Sequence, residues 1–199
     1  MNVAPASYRN KYEQMFNAIQ VKPDVVKQVN TIAKKIIANK SRYEGIEKLT
    51  GVKWYMIGLI HNLESGNNFN THLHNGDPLT SRTVNYPPGR PISGNPPFTF
   101  EESAVDAIEV QQLDKWKDWS IGGILFKLEE YNGPGYRNIG AANPYLWSGS
   151  QYYVKGKFIK DHVYDKDAVS KQIGAATILY VLMKEADLLS DNSALKKKF

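Results

Sequence analysis

The run WYMIGLIHNLESG spans residues 54–66 and is apolar at almost every position before Glu64. Apolar residues fall on every face of the helix that this run predicts, so we expect the helix to be buried rather than amphipathic. Its last turn would carry Glu64 from the hydrophobic interior to solvent. Burial disfavours the charged form of a carboxyl group, so this position predicts a raised pKa and a proton donor near neutral pH. The alternative is an ordinary solvated Glu at a helix end.

Length and composition favour one globular domain without disulfides. With 199 residues and 42% hydrophobic content, we expect a single domain over residues 1–199, in one piece or divided into two lobes by a cleft. The absence of cysteine excludes disulfides and thiolate metal ligands. Lys and Arg outnumber Asp and Glu by 25 to 20, a surplus that favours any polyanion, such as nucleic acid, an anionic membrane surface or an acidic cell wall, and selects none of them.

Helical periodicity dominates the rest of the chain. The predicted helices are residues 8–19, residues 23–37, residues 39–51, a helix opened by a Thr99–Glu102 capping box, a helix after Ser120, and a closing helix from Asp167 to Leu189. The glycines and proline of residues 131–137 break the helix after Ser120. The predicted fold class is therefore α+β and mostly helical.

Two short segments predict β-hairpins. The first runs from His72 to Val84 around Asn75-Gly76, a strong turn signal, and a proline-rich surface loop follows it at residues 85–97. The second runs from Gln151 to Phe158 and, with Trp147, groups aromatic rings around a glycine. Rings beside polar groups often grip sugars or bases, although core packing accounts for such rings equally well.

The order of polar residues after the buried helix resembles a known pattern. Glu64-Ser65, followed by Asp77 and then by Thr83, resembles the lysozyme superfamily, in particular its phage-type muramidases. The element Glu130-Tyr131-Asn132-Gly133 is similar to the corresponding motif of goose-type lysozymes and soluble lytic transglycosylases. The resemblance spans residues 52–136 and implies a lysozyme-like fold, with a small β-hairpin lobe beside a cleft that the Tyr-Asn segment lines.

The resemblance also implies roles for individual residues. Cleavage of a glycosidic bond needs a proton for the leaving oxygen and compensation for the developing positive charge, and two carboxyl groups in different environments supply both. Glu64 would be the neutral general acid. Asp77, in a polar turn, would stay ionised and hold a water together with the Thr83 hydroxyl. The competing interpretation of Asp77 is a turn cap before Pro78. The expected substrate contacts are Ser65, His74, Tyr131, Asn132, Trp147 and Tyr153.

The other possible functional motifs in the sequence are less specific. His61, His72 and His74 could form a metal site with Asp77, since His72 and His74 share one face of a strand, but no third ligand has a defined spacing. We therefore expect no metal and no cofactor. The sequence has neither a phosphate-binding glycine loop followed by Lys-Ser or Lys-Thr nor a Gly-x-Ser-x-Gly elbow.

The function expected from the resemblance is that of a bacteriolytic peptidoglycan muramidase of the phage endolysin type. Such an enzyme hydrolyses the β-1,4 linkage between N-acetylmuramic acid and N-acetylglucosamine. The alternatives are a lytic transglycosylase, and a noncatalytic wall-binding or virion structural module that grips glycan through Tyr152, Tyr153 and Trp147. The expected partner is bacterial peptidoglycan, with no nucleic acid, no stable membrane insertion and a monomeric state. Residues 1–12 lack the apolar core of a secretory signal, which predicts storage in the host cytoplasm before lysis.

Overall fold

The computed structural model describes residues 2–160 and 162–186. Over these residues the fold is α+β and mostly helical, as predicted, with nine α-helices and a two-stranded antiparallel hairpin. The helices are α1 (Ala6–Asn17), α2 (Val26–Ala38), α3 (Lys40–Thr50), α4 (Trp54–Ser65), α5 (Phe100–Val110), α6 (Ile121–Asn132), α7 (Gly135–Asn138), α8 (Pro144–Trp147) and α9 (Ala175–Glu185). The hairpin pairs β1 (Lys157–Lys160) with β2 (Val163–Asp165). None of the described helices has the length and apolar content needed to cross a membrane.

The chain divides into two compact units. The central unit consists of Ala38–Lys117, together with Asn2, and contains α3, α4 and α5. The terminal unit joins Val3–Ile37 to the chain from Asp118 onwards, and contains α1, the bulk of α2, α6 to α9 and the hairpin. The single domain expected over residues 1–199 stays a prediction.

Helix α4 forms the core of the central unit, as its apolar sequence predicts. Every residue from Trp54 to Leu63 except Asn62 is buried. Gly66 ends the helix in a left-handed conformation with φ of 62°, a common way for the chain to leave a helix. Helix α3 packs against both α4 and α5. Glu64 therefore lies in the last turn of a buried helix.

Two further helix signals in the central unit are confirmed. The backbone N–H of Glu102 donates to the Thr99 hydroxyl (3.2 Å), and the Glu102 carboxylate accepts from the Thr99 backbone N–H (2.8 Å), which completes the predicted capping box at the start of α5. Helix α3 ends at Gly51, whose φ is 76°. Local chemistry thus sets both of these helix ends.

The predicted hairpin from His72 to Val84 is wrong. The segment forms a tight turn and a loop, and its pairing is limited to an isolated bridge between Thr71 and Pro78. The reason is that the Asp77 carboxylate accepts the backbone N–H of Val84 at 2.8 Å, which diverts a donor that a strand ladder would need. The Asn75-Gly76 turn itself is present.

Close approach of α1 and α6 organises the terminal unit. These two helices make the most extensive helix–helix contact in the described chain. A Cβ at Gly122 would lie 2.2 Å from the carbonyl oxygen of Arg9, so only glycine fits at this point of α6. Helix α8 packs against both α6 and α9.

The second hairpin and the last helix differ from their predicted bounds. The hairpin begins at Lys157 rather than Gln151, because residues 150–153 form a turn in which the Ser150 carbonyl accepts the Tyr153 N–H at 3.3 Å. Helix α9 begins at Ala175 rather than Asp167, since the Gly174 N–H is bound by the Ser148 carbonyl at 2.9 Å, outside any helix. The predicted end at Leu189 lies outside the described residues.

Candidate functional site

The last turn of α4 carries the predicted general acid. Glu64 and Ser65 are half-buried, whereas Leu63 before them is buried. The Ser65 hydroxyl donates to the His61 carbonyl at 3.3 Å, so it closes the helix end rather than pointing away from it. As the sequence predicts, the helix places the Glu64 carboxyl group where the buried core of the central unit ends.

The turn at Asn75-Gly76 packs directly on this helix end. It is held by two backbone hydrogen bonds, from the Gly76 N–H to the His72 carbonyl (3.0 Å) and from the His72 N–H to the Asp77 carbonyl (2.7 Å). Gly76 has φ of 80°, and a Cβ there would lie 3.0 Å from the Glu64 carbonyl oxygen and 3.6 Å from the Ser65 Cβ. Glycine is thus required both by the backbone conformation and by the contact with Glu64.

The Asp77 carboxylate is buried and accepts four hydrogen bonds. Oδ2 accepts from the backbone N–H groups of Val84 (2.8 Å) and Asn85 (2.9 Å) and from the Asn75 side chain (3.1 Å), and Oδ1 accepts from the Asn85 side chain (2.5 Å). Burial alone would raise the pKa of Asp77, but the hydrogen bonds from Asn85, Val84 and Asn75 outweigh it and lower the pKa below its usual value. Asp77 is therefore an ionised group that organises its own loop.

Thr83 is occupied in the same way. Its hydroxyl donates to the Pro87 carbonyl (2.5 Å) and accepts from the Arg90 N–H (2.9 Å). Asp77 and Thr83 together fix the loop of residues 83–90, and we call them the loop clamp. These contacts support the turn-organising interpretation of Asp77, and the water-holding role of both residues stays a prediction.

His74 points to α5 rather than to solvent. Its Nε2 lies 2.7 Å from Asp106 Oδ2 and its Nδ1 lies 3.4 Å from the Ser103 hydroxyl, while Arg90 binds both oxygens of Asp106. Burial lowers the pKa of His74, and Asp106 opposes this shift without reversing it. The Asp–His–Ser order resembles a hydrolase triad, but Ser103 is 0% exposed and no substrate can reach it. The group instead attaches the loop to α5.

His72 and His61 are likewise used in packing. His72 Nδ1 lies 2.8 Å from the Ser103 hydroxyl and its Nε2 lies 2.8 Å from the Ser81 carbonyl. His61 is buried in α4 and contacts the Tyr43 hydroxyl at 3.0 Å. Within residues 2–160 and 162–186, no three His, Asp or Glu side chains are grouped so that they could hold a metal ion.

The terminal unit has a pocket at the end of α6. Asn132 is exposed there, Tyr131 is half-buried, and the pocket has a volume of about 500 Å³. The Gly-Pro-Gly turn and the hairpin form its walls, which are Asn132, Gly133, Pro134, Gly135, Tyr136, Phe158, Ile159, Lys160 and His162. The Tyr136 and Phe158 rings pack edge to face at 4.9 Å. We call this the hairpin pocket.

The other two predicted aromatic contacts are buried. Tyr153 is 1% exposed and its hydroxyl accepts from the Ser170 N–H at 2.9 Å, which is the core packing that the sequence left as the alternative. Trp147 is also buried and packs against Tyr12 and Tyr152, with ring centroids 6.2 and 5.3 Å apart. Neither ring faces the hairpin pocket.

Glu129, a buried carboxylate on α6, is a candidate functional residue that was not among the predicted site residues. The Tyr12 hydroxyl donates to it, Arg137 Nε lies 3.4 Å from it, and a pocket of about 300 Å³ adjoins these three side chains. Burial and the contact with Glu129 raise the pKa of Tyr12. Helical spacing could have revealed Glu129, because it follows the buried Leu125 by four residues and so shares its apolar face.

The predicted site residues thus fall in two groups. The central unit contains Glu64, Ser65, His74, Asp77 and Thr83, and the terminal unit contains Tyr131, Asn132, Trp147 and Tyr153. Of the first group, Glu64 and Ser65 are brought next to the Asn75-Gly76 turn, while His74 is turned away to α5. Comparison of the chain with models of protein families, with curated proteins and with solved structures finds no match.

Proposed function

We propose that the chain is a peptidoglycan-degrading glycoside hydrolase of the muramidase type, with a lysozyme-like fold and Glu64 as its general acid. The observation that carries the proposal is the position of Glu64: it is half-buried at the end of a helix whose preceding residues are almost all buried. A carboxyl group leaving an apolar core can remain protonated near neutral pH and can therefore give its proton to a leaving group.

In the proposed reaction, Glu64 protonates the glycosidic oxygen as the bond from that oxygen to the anomeric carbon breaks. Positive charge then develops on the sugar, and an ionised carboxylate nearby stabilises it. Asp77 fits this electrostatic role because its hydrogen bonds lower its pKa and keep it charged. Water then adds to the anomeric carbon, and its proton goes to the Glu64 carboxylate, which restores the general acid.

The hairpin pocket supports a glycan ligand for the terminal unit. Sugars bind where flat rings lie beside amide and hydroxyl groups, and the pocket offers the half-buried Phe158 ring beside the exposed Asn132. A volume of about 500 Å³ suits a short stretch of a polysaccharide rather than an ion. Bacterial peptidoglycan is the proposed partner, and the chain is proposed to act on it as a monomer.

The test is Glu64→Gln, which keeps the shape of the side chain and removes the proton donor. Turbidity clearing of purified cell walls should fall by at least about a hundredfold, the scale of a lost general acid. Glu44→Gln is the matched control, since Glu44 is, like Glu64, a half-buried glutamate of the same unit, and its side chain is 44% exposed in an ion pair with Lys40. Clearing at the wild-type rate by folded Glu64→Gln protein would overturn the enzymatic proposal and leave the wall-binding or virion structural module in its place.

A lytic transglycosylase is the second candidate, and the loop clamp favours it. In that reaction the sugar's own hydroxyl attacks the anomeric carbon, so no residue needs to hold a water, and Asp77 and Thr83 are already occupied by their loop. Digestion of peptidoglycan in ¹⁸O-labelled water separates the two reactions by mass spectrometry. A hydrolase yields labelled reducing ends, whereas a transglycosylase yields unlabelled anhydro sugars that are one water lighter.

A further inference from the structure

Tyr86 is the most exposed of the large apolar side chains described in the chain. It is 87% exposed, and Val84 on the same loop is 77% exposed. Leaving a tyrosine ring in water forgoes a large area of favourable burial, since an aromatic side chain can bury about 150–250 Å². A ring in this state is available for contact with a ligand.

The backbone that carries this ring is fixed by four hydrogen bonds. The Asp77 carboxylate accepts the N–H groups of Val84 and Asn85 at 2.8 and 2.9 Å. The Asn75 side chain donates to the carbonyls of Asn85 and Tyr86 at 3.1 and 3.4 Å. A ligand that binds the loop therefore meets a backbone already in place, which reduces the entropy lost on binding.

The same contacts connect the loop to the helix end that carries Glu64. Asn75, which holds the Tyr86 carbonyl, precedes Gly76, and Gly76 lies against the Glu64 carbonyl oxygen. All of these residues belong to the central unit. The Tyr86 backbone is thus connected to the Glu64 backbone through Asn75 and Gly76.

We propose that Tyr86 is a sugar-stacking residue of the Glu64 site, which receives a pyranose ring of the peptidoglycan strand next to the linkage that is cleaved. The inference rests on the proposed function. A pyranose presents a face of C–H groups that packs on an aromatic ring without any charged partner, and Val84 extends the apolar surface beside it. The loop clamp then holds the backbone that carries the ring, in addition to the electrostatic role proposed for Asp77.

The test compares Tyr86→Ala, Tyr86→Phe and the control Leu49→Ala. Leu49 is a matched control because it is 74% exposed in the same unit and lies on a different element, α3. Binding of chitooligosaccharides is measured by calorimetry in the Glu64→Gln background, where no turnover occurs, and KM and kcat are measured on peptidoglycan with Glu64 intact.

Tyr86→Ala should weaken chitooligosaccharide binding about tenfold, which is the effect expected from the loss of one aromatic contact. KM should rise by a similar factor, while kcat and the melting temperature should stay unchanged. Tyr86→Phe should bind within about twofold of wild type, because the ring rather than the hydroxyl makes the contact. Leu49→Ala should bind as wild type. Wild-type binding by Tyr86→Ala would overturn the inference.

Two further outcomes keep this inference distinct from the proposed function. If Glu64→Gln clears walls normally while Tyr86→Ala loses glycan binding, the sugar-stacking residue stands and the enzymatic proposal fails. If Tyr86→Ala keeps glycan binding but loses binding to phosphatidylglycerol vesicles, the ring serves a lipid surface and the inference is wrong.

Discussion

The Asp77 carboxylate holds two backbone N–H groups that would otherwise have no strand partner, those of Val84 and Asn85. Its residue type and its place before a proline fit both a catalytic carboxylate and a turn cap. The contacts favour the turn cap, because the four donors that Asp77 binds all belong to its own loop, and the water-holding role stays a prediction. Thr83 follows the same logic, since its hydroxyl already bonds Pro87 and Arg90.

Asp77→Asn should lower the free energy of unfolding at neutral pH by about 1–3 kcal/mol, because the amide nitrogen cannot accept the hydrogen bonds that the carboxylate accepts. The pKa of Asp77 is lowered in the folded state from 3.8, so its stabilising contribution is complete above that pH and is lost as the pH falls through the folded value. Urea denaturation across pH 2 to 7 should therefore show a flatter acid limb for the variant.

Asp24→Asn, at an exposed aspartate, is the control and should change stability little. The contrary result would be an Asp77→Asn protein with wild-type stability and no wall-clearing activity. That pair of observations would return Asp77 to the water-holding role.

At the scale of elements, α4 and the turn of residues 72–77 act as one assembly, because the turn lies on the helix end through a residue without a side chain. Helix α4 was predictable from its sequence, since burial of a helix leaves an apolar pattern along the chain. The loop that follows was not, because side-chain hydrogen bonds rather than alternating polarity set its path. The alternation of apolar and polar residues and the Asn75-Gly76 turn signal therefore predicted a hairpin over residues 72–84, where the structure has a turn followed by a loop that hydrogen bonds hold in place.

Gly76→Ala tests the contact between the turn and the helix end. Gly51→Ala is its control, since both glycines have positive φ (80° and 76°) but a Cβ at Gly51 meets nothing within 4 Å. Both variants should lose about 1–2 kcal/mol of stability from backbone strain, as measured by urea denaturation. Gly76→Ala should lose more, and it alone should slow wall clearing, because its Cβ displaces the Glu64 carbonyl. Equal effects of the two substitutions would show that the contact does not matter.

At the scale of the whole molecule, the fold class and the helix that carries Glu64 could be predicted, whereas the partition of the chain could not. The terminal unit joins Val3–Ile37 to the chain from Asp118 onwards. Within it, Tyr12 and Glu129 are hydrogen-bonded across 117 positions of sequence. Such a pairing cannot be predicted from one sequence, because periodicity shows which face of its own helix each residue occupies but not which distant residue it contacts. The same reason hid the burial of Tyr153 and Trp147.

The discontinuous terminal unit also bears on how the protein is made. Helix α1 leaves the ribosome about a hundred residues ahead of α6, the helix against which it packs. At rates of protein synthesis of about 5–20 residues per second, this interval lasts from several seconds to about twenty seconds. All of the central unit except Asn2 is synthesised within it and can fold first. During that time Tyr12 and Phe16 of α1, both buried in the finished protein, are not yet covered by α6, so the nascent chain passes through a period in which chaperones can bind these two rings.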